Sequence, residues 1–164
     1  MSAATASDDP GLIEHFKRRL NEDKASLFEQ FDQGVAVDAL VVARSRLMDE
    51  VLREVWRLYL GDSAGAALVA VGGYGRQELH PASDVDILFL VAPGAESELG
   101  EPLERLVTFL WDIGIEPGSS VRTVEECVRV AAADVTVITN LIEARLIAGN
   151  AGLFRQMREA TGPD

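Results

Sequence analysis

Two short apolar runs, Ala66–Val71 and Val85–Val91, limit the folds open to this chain more than any other feature. Gly72-Gly73 closes the first run and Pro93-Gly94 the second. Runs of this length with such boundaries read as buried strands rather than helices. Asp84-Val85-Asp86 stands at the start of the second run. Its two carboxylates are at i and i+2, so they project from one face of the strand. Val85, Ile87 and Phe89 fill the other face.

Helical spacing surrounds these strands. Leu12 to Phe31 is roughly helical, and Gly34 interrupts it. Val37 to Leu60 carries a clear apolar stripe, with Gly61 as its stop. Glu101 to Ile113 reads as a helix. Ile115 to Arg122 reads as a third strand, broken early by Pro117-Gly118. Thr123 to Val130 reads as a helix capped by Thr123, with Glu126 at the reciprocal position. Val135 to Ala148 and Leu153 to Ala160 are expected to be helical. The spacing predicts an α/β (α+β) fold, a small mixed central sheet flanked by helices. The expected division is a disordered tail over 1–10, N-terminal helices over 11–60, and a core over 61–164.

Composition narrows the function. The 164 residues suffice for one ordinary domain, and 48% of them are hydrophobic. With 15 Lys+Arg against 27 Asp+Glu, the net charge of −12 disfavours nonspecific nucleic-acid binding. A nucleotide site is still open, because bound cations can reverse the local sign. Cys127 is the sole cysteine, so neither an intrachain disulfide nor a cysteine zinc site can form. No apolar run reaches the length of a membrane span, and Met1–Pro10 does not resemble a signal peptide. The expectation is a cytoplasmic protein without membrane contact.

The chemistry concentrates between the two strands. Glycine at 72 and 73 lets the backbone turn sharply and bring N–H groups to an anion; a plain tight turn is the alternative. Two neighbouring carboxylates repel unless something compensates. Asp84 and Asp86 on a rigid strand supply the hard oxygen ligands that Mg²⁺ takes, with substrate phosphates completing its shell; two solvated acids at a strand mouth are the alternative. Ser83 could bond a phosphate or shape the turn. Arg76 could pair with a phosphate or with a nearby Glu. Arg122 is a weaker candidate of the same kind. Tyr74 reads as an anchor in the loop, His80 as a loop hydrogen-bonder, and Cys127 as inert core. Glu143 and Arg145 read as mid-helix residues.

The string GGYGRQELHPASDVD, residues 72–86, resembles the uridylyltransferases that modify the PII signalling protein, within the superfamily that includes DNA polymerase beta. Similarity continues through LWDIGIEPGSSVRTVEEC and TNLIEARLIAGN, and back into RSRLMDEVLREVW. Gln77, where the family more often has Gly, and Pro117 depart from the pattern. The resemblance implies a nucleotidyltransferase-type sheet, triphosphate contacts from Gly72 and Gly73, and metal binding by Asp84 and Asp86. It also implies a third carboxylate on a later strand, assigned to Glu116 with Asp112 as the runner-up.

By the same resemblance the expected reaction moves UMP from UTP to a tyrosine of PII by a two-metal mechanism. The family's HD-type hydrolase and ACT domains are not expected here: only His15 and His80 are present, and Asp follows neither. The chain is therefore expected to be a truncated form. The alternatives are adenylyl transfer to another protein or small molecule, and an inactive nucleotide-binding fragment.

Overall fold

A computed structural model of the chain describes residues 10–80 and 84–162. The expected tail, apart from Pro10, lies outside them. Two helices come first, α1 (Pro10–Asp32) and α2 (Val37–Tyr59). There follow β1 (Ala66–Ala70), the single helical turn α3 (Gly72–Gly75), β2 (Val85–Val91) and α4 (Glu96–Asp112). The chain closes with β3 (Pro117–Arg122), α5 (Val124–Ala133), α6 (Val135–Ile142), β4 (Arg145–Gly149) and α7 (Ala151–Thr161). The four strands form one mixed sheet in the order β3-β2-β1-β4. β1 pairs antiparallel with both β2 and β4, while β3 runs parallel to β2.

Strand alternation divides the core. Val85, Ile87, Phe89 and Val91 of β2 join Leu68 of β1 against α1, α2 and α4. Leu88 and Leu90 join Val69 against α5, α6 and α7. On the first side Phe16 and Tyr59 both pack on the Phe109 ring, and Trp56 stacks on Phe89. The stripe seen in the sequence puts Val51, Leu52 and Val55 of α2 into this core without exposure. Arg19 of α1 pairs with Glu54 and Glu50 of α2.

The structure corrects several sequence expectations. Residues 135–148 do not form one helix: α6 stops at Ile142, and Arg145–Gly149 is the strand β4. Arg145-Leu-Ile-Ala fits either state locally, and the open edge of β1 decides for the strand. Glu143 is thus the C-cap of α6, and Arg145 opens β4; neither is mid-helix. α4 begins earlier than expected, at Glu96, and carries Pro102 inside. Pro117 does not break β3 but opens it, on an edge strand where a missing N–H costs little. Thr123 caps α5 as read: its hydroxyl accepts from Glu126 N–H, and Glu126 accepts from Thr123 N–H. Among the described residues, no helix is long and apolar enough to cross a membrane.

Candidate active site

The end of β1 runs into α3 beside the start of β2. Val71 N–H donates to Asp86 O at 3.1 Å, which fixes the turn against the acidic strand. Gly72 has φ +62, a left-handed conformation that a side chain would strain. A Cβ there would lie 3.1 Å from Asp86 Oδ2. From the other side, the parallel register sets Gly118 of β3 opposite Asp86, and a Cβ there would lie 2.6 Å from Asp86 Oδ1. The carboxylate of Asp86 therefore occupies a notch between two backbones that carry no side chain.

Asp84 is exposed and Asp86 half-buried. Burial, and then the charge of Asp84, push the Asp86 carboxyl above its ordinary value. A hard divalent cation would relieve both penalties, so this donor set fits Mg²⁺.

The remaining candidates are placed less closely. Glu116 is exposed, and its carbonyl accepts from Val85 N–H at 3.2 Å. Carrying the β2–β3 register one residue back aligns it with Asp84. It also borders a groove of about 1230 Å³ lined by α1 and α2. Asp112 ends α4 and is exposed. Among the described residues, no three His, Cys, Asp or Glu side chains gather into a metal-binding group.

Arg76 is exposed and donates to Glu143 at 2.7 Å and to Glu78 at 3.3 Å. Its guanidinium lies over Gly73, where a Cβ would be 3.6 Å from Nη2. Ser83 lies outside the described residues. Burial pushes the Cys127 thiol up to about 11, in keeping with an inert core residue.

The departure at Gln77 has a conformational consequence. Its φ is +60, the left-handed region, and its N–H donates to Tyr74 O at 3.1 Å to close the turn. Glycine suits this position best, and Gln77 holds it under strain.

Sequence reasoning missed the residues that hold the turn in place. Ser45 Oγ accepts from Leu79 N–H at 3.2 Å, and Arg44 donates to His80 O. Asp49 Oδ1 accepts from Tyr74 Oη at 2.6 Å, and its Oδ2 accepts from Arg145 Nη1 at 2.6 Å. A signal was present: Ser45 and Asp49 are polar residues four apart inside the apolar stripe of α2, among Val41, Met48 and Leu52.

Residues 48–138, more than half of the chain, match the nucleotidyltransferase domain family. The chain is 47% identical over 150 residues to the bifunctional uridylyltransferase/uridylyl-removing enzyme of Pseudomonas putida, covering 91% of this chain and 17% of that protein. It is 48% identical over 147 residues to the enzyme of that name from Cupriavidus pinatubonensis, covering 90% and 17%. With that of Pseudomonas aeruginosa it shares 44% over 151 residues, covering 92% and 17%. The chain thus spans about a sixth of the length of these relatives. By its match, by the glycine turn and by the acidic strand set against it, the chain belongs to the nucleotidyltransferase domain family.

Proposed function

We propose that this chain carries the nucleotide-transfer site of a uridylyltransferase, moving UMP from UTP onto a tyrosine of the PII signalling protein. The observation that carries the reading is the Asp86 carboxylate, raised by burial and by Asp84 and set in the notch between Gly72 and Gly118. The names of the relatives, uridylyltransferase/uridylyl-removing enzymes, support uridylyl as the transferred group.

Asp84 and Asp86 would hold Mg²⁺. When bound, it supplies positive charge to the triphosphate oxygens and to the departing pyrophosphate. Gly72 and Gly73 let the phosphates approach the backbone. Glu116 is assigned the proton of the acceptor hydroxyl. The tyrosine oxygen forms a bond to the α-phosphorus in line, the bond from that phosphorus to the β-phosphate bridging oxygen breaks, and pyrophosphate leaves. Arg76 would reach the phosphates by exchanging Glu143 or Glu78 for a phosphate oxygen. Ser83, just before the carboxylates in sequence, is assigned a phosphate contact.

Incubation with labelled UTP, ATP and CTP in the presence of PII tests this. Label from UTP is expected on PII with the native chain and not with Asp84→Asn or Asp86→Asn. Preferential use of ATP would indicate adenylyl transfer instead. Calorimetric binding of Mg·UTP without turnover would point to a nucleotide-binding module. Normal transfer by either Asn variant would remove the metal assignment.

A further inference from the structure

We propose that Asp49, Tyr74 and Arg145 act together as positioning residues, holding the Gly72–Gly75 turn at a set distance from Asp86. The inference rests on the nucleotide-transfer reading above. None of the three is assigned a phosphate or metal contact; they come from α2, from the turn α3 itself and from β4. Asp49 is 4% exposed and Tyr74 1%. The Asp49 carboxylate accepts from the Tyr74 phenol through one oxygen and from Arg145 through the other, each at 2.6 Å. Arg145 also donates to two carbonyls of the turn, Tyr74 O at 2.9 Å and Gly75 O at 3.4 Å. Its guanidinium lies 5.3 Å from the centre of the Tyr74 ring. Side chain and backbone of one turn are therefore gripped by the same ion pair, buried at Asp49 and part-exposed at Arg145.

Stability alone does not require this arrangement, since packed apolar side chains in place of a buried ion pair are often as stable. What directional bonds add is a fixed place for the turn. Burial, with Asp49 beside it, pushes the Tyr74 phenol well above its ordinary value, so it stays a donor. The turn meets the carboxylate site directly, through Val71 N–H on Asp86 O and the bare Cα of Gly72 beside Asp86 Oδ2. Small displacements there change how phosphates and carboxylates meet.

Tyr74→Phe removes one hydroxyl and keeps the ring; Asp49→Asn keeps the shape and removes the charge. Titration calorimetry with Mg·UTP on the chain is expected to give dissociation constants roughly tenfold weaker for each. The double variant should be no weaker than the worse single one, because the residues act as a unit. Met157→Ala, a buried change on α7, serves as a control that lowers Tm and leaves Mg·UTP affinity unchanged. Amide hydrogen exchange at Gly72–Arg76 should quicken in Tyr74→Phe with or without nucleotide. If the native chain binds Mg·UTP and both single variants bind it equally tightly, the inference is overturned while the function stands. Unchanged exchange in a folded Tyr74→Phe chain overturns it too, whatever happens with nucleotide. A native chain that binds none of Mg·UTP, Mg·ATP and Mg·CTP removes the function reading, and the positioning role with it.

Discussion

The two faces of β2 do different work on one strand. On one, Val85, Ile87, Phe89 and Val91 enter a core that includes the rings of Phe16, Trp56, Tyr59, Tyr74 and Phe109. On the other, Leu88 and Leu90 enter a smaller core whose buried members are all non-aromatic, such as Val69, Cys127, Leu141 and Met157. That second face reaches Asp86 only two residues before Leu88, and there the apolar packing stops. The aromatic side makes a rigid platform, and the thin side leaves carboxylates at its margin. A strand held firmly on one face can present charges on the other without the fold depending on them.

The largest effect that would break this contrast is at Asp86. Asp86→Asn should reduce transfer by at least about 10³-fold, roughly 4 kcal/mol in barrier, in the labelled-UTP assay. Its thermal stability should rise slightly at neutral pH. The folded carboxyl value is raised, so stability present below the unfolded value is lost as pH rises through the folded one. The gain in Tm from Asn should therefore vanish in acid, below both values; a loss of Tm at neutral pH would mean that the carboxylate supports the fold.

Phe89→Ala, on the platform face, should cost about 3–5 kcal/mol in urea unfolding, whereas Leu88→Ala should cost about 2–5 and fall below it. Equal losses would show that the two cores are equivalent.

Gly118→Ala crowds Asp86 Oδ1 on the thin face. It should lower transfer roughly tenfold with a stability change near about 0.5 kcal/mol, because the displaced atom is the tip of a side chain. Unfolding of this variant would mean that the notch is part of the core. The smallest effect is at the end of the turn, where Gln77→Gly should raise unfolding free energy by about 1 kcal/mol by relieving the left-handed residue. A decrease would show that the Gln77 side chain makes up for its backbone.

Much of this was legible in the chain itself, for local reasons. The stripe of α2 and the apolar runs of β1 and β2 follow from side-chain period and run length, and the cap at Thr123 from the Thr-x-x-Glu spacing. Other features depend on partners distant in sequence. Arg145–Gly149 is apolar enough to pass for helix until β1 offers an edge. Gly118 acquires meaning only because the parallel register sets it against Asp86. The ion pair of Asp49 and Arg145 spans 96 positions, and no local pattern joins them.

Sequence by itself determined which residues can turn, which must be buried and which two acids stand two positions apart at the start of β2, because each depends on the chemistry and spacing of close neighbours. Only the tertiary structure decided what surrounds that pair: a glycine from the next strand, a turn clamped from two sides, and an edge that converts helix-like sequence to strand. These are contacts between segments far apart along the chain, and their energies exist only once those segments have met.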